Sequence, residues 1–247
     1  MNTLPVPRVE VHESADELAT SVAGAFLRLV RVRQASGEIP QVGLTGGSIA
    51  EKIHRELARL APSSDVDWTR IEFFWGDERF VAPDSDERNA KQAREAFLDA
   101  VGADPERVHE IPSTADAEST DAAAAAYAET VRTVGSGSFD LLMLGVGPDG
   151  HIASLFPGFP QLAVDDAIAV GVTGSPKRPP ERVSLTFPAL NRSDEVWFVV
   201  SGAEKAEAVG RALSAEPPSV QEIPATGVRG RVQTIWFLDR EAASQVR

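Results

Sequence analysis

The chain has 247 residues, enough for one large domain or two small ones at ~150 residues each. Its 37 acidic and 24 basic residues give a net charge of −13, which repels nucleic acid and argues against an anionic lipid surface as partner. With no cysteine, disulfides, thiolate nucleophiles and the usual structural zinc sites are excluded together.

The first residues lack an apolar core behind a basic start, so no secretory signal is read there and the cytoplasm is the expected location. No run of about 18 apolar residues exists to form a membrane span. Apolar residues at helical spacing (Leu18, Val22, Ala25, Phe26, Leu29) predict a helix over 15–32. A short strand at 41–44 ends in Thr45, Gly46, Gly47 and Ser48, and helical spacing resumes over 49–60. The apolar run 71–75 predicts a strand ending in Gly76, Asp77, Glu78 and Arg79. Helices are predicted over 89–98 and, from an alanine-rich run, over 122–134.

The segment 139–144, apolar apart from Asp140, predicts a strand buried on both faces and therefore central in its sheet. It leads into Gly145-Val146-Gly147-Pro148-Asp149-Gly150-His151. Strands are expected at 182–186, 195–200 and 234–238, with a helix from about residue 203. The Pro- and Ser-rich stretches 173–180 and 214–224 read as loops. Trp68, Trp75, Trp197 and Trp236 fall in strand regions, as core residues do. No internal repeat divides the chain, and 1–247 reads as a single α/β domain. The recurring unit is strand, glycine turn, helix. In open parallel sheets a ligand sits outside the carboxyl ends of the strands, where such turns converge.

Three turns could carry chemistry. Thr45 to Ser48 opens a helix, and its glycines and free amides suit an anion; the plain alternative is a tight turn in which Ser48 only caps the helix. Arg79 could offer a fork of donors to a phosphate, and Asp77 could bind sugar hydroxyls or hold Arg79 in place. In the glycine turn before it, His151 is the natural general base, and Asp149 could orient its ring or meet the substrate. His12, His54 and His109 lie in segments without such a turn and read as surface residues. Lys205, in the first turn of a helix, opposes the helix dipole unless an anion binds nearby; Arg182 is a weaker candidate for the same anion. No metal-ligand spacing and no Gly-x-Ser-x-Gly elbow occur.

These blocks together resemble the 6-phosphogluconolactonases of the glucosamine-6-phosphate isomerase/6-phosphogluconolactonase family. The likeness runs from Leu44-Thr45-Gly46-Gly47-Ser48 through Phe74-Trp75-Gly76-Asp77-Glu78-Arg79, the His151 turn with Ile152-Ala153-Ser154-Leu155-Phe156-Pro157-Gly158, and Arg182-Val183-Ser184-Leu185-Thr186 to Gly202-Ala203-Glu204-Lys205. The resemblance implies a Rossmann-like, open, mostly parallel sheet with helices on both faces. It implies hydrolysis of 6-phospho-D-glucono-1,5-lactone in the oxidative pentose phosphate pathway, without cofactor or metal. Carried over, His151 is the general base, Asp149 its neighbour, and Arg79 and Lys205 the cations at the phosphate end. The expected partner is a small phosphosugar lactone, met by a monomer or, alternatively, a dimer. Related deaminases follow the histidine with Asn-Glu-Pro, whereas Ser154-Leu155-Phe156-Pro157 stands here without that carboxylate. A glucosamine-6-phosphate deaminase and a non-catalytic sugar-phosphate sensor are the competing readings. Oxyanion stabilisation falls either to amides of the glycine turn or to a cation.

Overall fold

A computed structural model describes residues 5–135 and 137–246; the reading of residues 1–4 lies outside them. The strands are β1 (Arg8–His12), β2 (Gln41–Leu44), β3 (Glu72–Trp75), β4 (Asp77–Arg79), β5 (Leu141–Leu144), β6 (Ala169–Val172), β7 (Arg182–Leu185), β8 (Glu195–Val200) and β9 (Gln233–Asp239). Helices α1 (Ala15–Ala35), α2 (Ser48–Leu60), α3 (Asn89–Ala93), α4 (Asp99–Val101), α5 (Thr120–Thr133), α6 (Phe187–Leu190) and α7 (Ala206–Ala212) alternate with them. A wider π turn, Arg94–Leu98, joins α3 to α4.

Six strands form a wholly parallel sheet in the order β1-β9-β8-β5-β2-β3. As expected of an apolar run, β5 is central and buried along its whole length. The chain moves from β1 through α1 to β2 and through α2 to β3, then returns to β5 and runs the other way to β8 and β9. Right-handed crossovers therefore set α1 and α2 on one face and α5 and α7 on the other. The direction reverses between β2 and β5, so a crevice opens past their carboxyl ends. The turns at Thr45 and Gly145 border it.

The core packs large apolar side chains on both faces of the sheet, among them Phe26, Phe73, Phe74, Trp75, Phe198 and Phe237, all fully buried. Each such burial stabilises the fold by ~1.5–3 kcal/mol. Caps fix the helix starts: Ser14 accepts from Glu17 N at the head of α1, and Ser119 from Ala122 N at the head of α5.

Three features depart from the sequence reading. Asp77, Glu78 and Arg79 form strand β4 rather than a charged turn, because they pair with β7, a partner far away in sequence. The predicted strand at 182–186 thus lies outside the main sheet, in a second, antiparallel one of order β4-β7-β6. β3 runs into it across Gly76, whose N–H donates to Leu44 O and whose carbonyl accepts from Leu185 N. This small sheet stands over the carboxyl ends of the parallel strands. His54 is no surface residue: it falls on the inward stripe of α2 with Ile53 and Leu57, is 2% exposed and packs on Phe97. His109 is also largely enclosed, against Phe74 and Glu72.

Candidate active site

A cleft of about 270 Å³ occupies the crevice between β2 and β5, and Thr45, Gly46, Gly47, Ser48, Asp77, Arg79, His151, Arg182 and Lys205 all line it. Residues spread over 160 positions of sequence thus converge as the spacing of turns predicted. Asp149 does not line the cleft but stands behind the imidazole.

The histidine turn is built by glycines. Gly147 N donates to His151 O and Gly150 N to Gly147 O, closing a tight loop in which Gly150 has φ +81°. A side chain on Gly147 would run into the His151 ring and Asp149. The ring also packs on Phe156, with centroids 4.6 Å apart. His151 Nδ1 lies 2.5 Å from Asp149 Oδ1. A carboxylate only accepts, so Nδ1 carries a proton, and it is Nε2 that holds the lone pair in the neutral ring. Nε2 has no hydrogen-bond partner among the described residues, although His151 is only 9% exposed. Burial opposes the charge on Asp149, but its hydrogen bond and attraction to His151 outweigh this and hold the carboxyl below its ordinary value.

The loop after β2 is open to an anion. Gly47, with φ +98°, is the N-cap of α2, and no side chain among the described residues accepts from its first amides. Ser48 is the first helical residue, so the plain capping role considered for it is not found. Thr45 Oγ1 instead accepts from Gly145 N at 3.2 Å, tying this loop to the histidine turn.

Around the loop stand the cations. Arg79 Nη1 donates to Glu87 O at 2.8 Å and to Asn89 Oδ1; Asp77 does not hold it. Asp77 accepts from Ser154 Oγ at 2.6 Å and lies 3.9 Å from Arg182 Nη1. Arg182 also donates to Pro179 O and Arg178 O, and burial lowers its pKa despite the attraction of Asp77. Lys205 is held at the N-cap of α7 by Ser201 O at 2.8 Å and by the exposed Glu204 at 3.0 Å. Buried Asp239 sets that turn in place by accepting from Ser201 Oγ and Gly202 N.

Three polar lining residues were not foreseen: Lys177, Arg178 and Asn89. The first two sit in the Pro-rich loop 173–180, which folds across the crevice. A Lys-Arg pair in so acidic a chain was the available signal. The Lys177 ammonium is held below its ordinary pKa, first by burial and then by Arg182, Lys205 and Arg79, with only Asp149 opposing. Arg79, Lys177 and Arg178 have no carboxylate partner among the described residues. Cations crowded in this way favour a multiply charged anion between them. Among the described residues no cluster of three or more His, Asp or Glu side chains could hold a metal ion, and no helix is long and apolar enough to cross a membrane.

The family profile described as glucosamine-6-phosphate isomerases/6-phosphogluconolactonase matches residues 13–236. The chain belongs to this family. The 6-phosphogluconolactonase of Streptomyces coelicolor is 41% identical over 249 residues, covering 97% of this chain and 95% of its own length. The crystal structure of 6-phosphogluconolactonase from Thermotoga maritima aligns with a TM-score of 0.82 and 28% identity, covering 95% of this chain and 100% of that one. A monomeric glucosamine-6-phosphate deaminase shares the fold at a TM-score of 0.81 and 22% identity, with 96% and 99% covered. Proteins of both names thus share this architecture, and the side chains in the cleft must separate them.

Proposed function

We propose that the chain hydrolyses 6-phospho-D-glucono-1,5-lactone to 6-phospho-D-gluconate in the oxidative pentose phosphate pathway, with His151 as general base. The observation that carries the proposal is an imidazole Nε2 without a partner among the described residues, sharing one cleft with five cations of which Arg79, Lys177 and Arg178 have no carboxylate partner there. The phosphate binds between the first amides of α2 and the side chains of Arg79, Lys177, Arg182 and Lys205. This anchors the ring with C1 beside His151 and turns a chance encounter into a positioned one.

Nε2 removes a proton from water as its oxygen attacks C1, while Asp149 steadies the ring and the positive charge it gains. The carbonyl electrons move onto oxygen, then return as the bond from C1 to the ring oxygen breaks, and His151 gives its proton to that leaving oxygen. The amides of Gly145, Gly147 and Gly150 already donate to Thr45 Oγ1, His151 O and Gly147 O. The glycine turn is thus committed to its own geometry, which favours a cleft cation as the stabiliser of the oxyanion.

A dianionic sugar phosphate is retained where it is made, and the proposal places the enzyme with it in the cytoplasm. The deaminase reading lacks support in the cleft: where its glutamate would precede the proline after the histidine turn, Phe156 is fully buried and packs on the His151 ring. A pH-indicator assay on freshly prepared lactone tests the proposal. Acid release well above the spontaneous rate is expected. Binding without turnover would point to a sensor, and ammonia released from glucosamine 6-phosphate to a deaminase.

A further inference from the structure

Asn89 is 2% exposed, yet it borders the cleft and touches both of its anion-binding arms. Its Oδ1 accepts from Arg79 Nη1, and its Nδ2 donates to Asp77 O at 3.1 Å. A Cβ on Gly46 would overlap the same amide, although Gly46 has no left-handed backbone that demands glycine. Gly46 is therefore a glycine for space, and the space is filled by Asn89. Behind it, Glu78 is buried at the head of α3. One carboxylate oxygen accepts from Asn89 N and Arg79 N and the other from Ala90 N, all at 2.8 Å. Strand β4 and the start of α3 are thereby fastened at the point where Asn89 leaves the helix.

From this junction we propose that Asn89 is a positioning residue, which orients the Arg79 guanidinium and sets its distance from the Gly46-Gly47 loop for a phosphoryl group. The inference rests on the phosphate assignment made above and deepens it. Asn suits the role because it accepts from the guanidinium without neutralising it. A carboxylate there would pair with Arg79 and cancel the charge the ligand needs, and would face the Asp77 carbonyl without a proton to donate. Glu78 supplies the cap but aims both carboxyl oxygens at backbone amides, leaving the Arg79 fork to Asn89 and Glu87 O.

The test measures inorganic phosphate binding by calorimetry for the wild type, Asn89→Ala, Asn89→Asp, Arg79→Ala and the double variant Arg79→Ala/Asn89→Ala, with melting temperatures alongside. Asn89→Ala and Asn89→Asp should each weaken phosphate binding by ~10-fold. In turnover the loss should fall on KM for the phosphorylated lactone, with kcat and the KM for unphosphorylated glucono-1,5-lactone within about twofold. The double variant should bind phosphate no worse than Arg79→Ala, because Asn89 acts through that arginine. Gly46→Ala should harm the wild type and do much less in the Asn89→Ala background, where the amide is gone. Unchanged phosphate affinity in Asn89→Asp, which keeps the side chain's shape, overturns the inference even if Asn89→Ala does not fold. Additive losses in the double variant do so as well, since Asn89 would then meet the ligand itself. Failure of wild-type turnover alone defeats the lactonase proposal and leaves the phosphate measurement to decide this one; no phosphate binding by the wild type defeats both.

Discussion

At the amino-terminal edge of the parallel sheet, Arg33 reaches Glu38, Asp140 and Asp194, and Arg231 shares Asp194. Glu72, beginning β3, takes both Arg107 and His109. At the carboxyl edge, Arg79, Lys177 and Arg178 meet no carboxylate among the described residues, and Asp77, the one acid among the described residues that line the cleft, is occupied by Ser154 and Arg182. In a chain with 37 acidic residues, cations left unpaired cannot be an accident of supply. The first edge spends its charges on closing strand ends, where each pair adds little to stability. The second keeps cations at a cost, visible in the pKa of Lys177, which burial lowers first and the neighbouring cations lower further; on the proposed function a bound anion recovers that cost. Charge at one edge is structure. At the other, on the proposed function, it is binding energy in reserve.

The largest effect that could break this comparison is at His151. Its replacement by Ala should lower kcat by ~10² to 10⁴ while substrate binding changes little, because the phosphate end is untouched. Turnover near that of the wild type would remove the imidazole from the mechanism. Next in size is Lys177→Met, which should raise KM for the phosphorylated lactone by roughly 10-fold, the worth of one charge-assisted hydrogen bond. Its melting temperature should stay level or rise, since a crowded cation has been removed. Weaker binding with lower stability would mean that Lys177 is a structural residue like Arg33.

How much of this was legible before folding follows the same division. The histidine turn could be read because all its parts are local: glycines that clear space, a histidine, and an aspartate two residues before it. The loop at Gly47 and the centrality of β5 were likewise written in contiguous residues. β4 was not, because its three charges become a strand only through pairing with β7. Strands β1 and β6 also went unread, being short edge strands whose burial pattern is mixed. Lys177 and Arg178 were lost for a related reason: proline and serine mark a loop but do not say where it folds. His54 was read as a surface residue because its segment has no glycine turn, although the helical spacing of 49–60 sets it beside Ile53 and Leu57 on the inward stripe.

His54 supplies the next prediction, since it is a histidine for which only packing matters. Burial holds its imidazole neutral down to about 3, whereas in the unfolded chain it takes a proton near 6.5. Between those values the unfolded state binds the extra proton, so the stability due to neutral His54 is full above pH 6.5 and drains away as pH falls towards 3. Urea denaturation at pH 7.5 and pH 5 should show a smaller acid loss for His54→Leu than for the wild type, with KM unaltered at either pH. An equal acid loss in both proteins would transfer the titration to other groups.

The smallest effect belongs to Arg33. Its guanidinium is partly buried, which disfavours its charge, but Asp140, Glu38 and Asp194 together more than compensate and raise its pKa. Replacing it with Ala should cost about 1 kcal/mol or less, because partly solvated pairs gain little over their hydrated separate charges. The loss should shrink further in high salt, where such pairs are screened. KM and kcat should not move, since the parallel strands separate this edge from the cleft by their full length. Arg33→Ala and Lys177→Met therefore form a crossed pair, one read in denaturation and the other in KM. A change in KM from Arg33→Ala would show that the two edges are coupled through the sheet, and the division of labour between them would have to be given up.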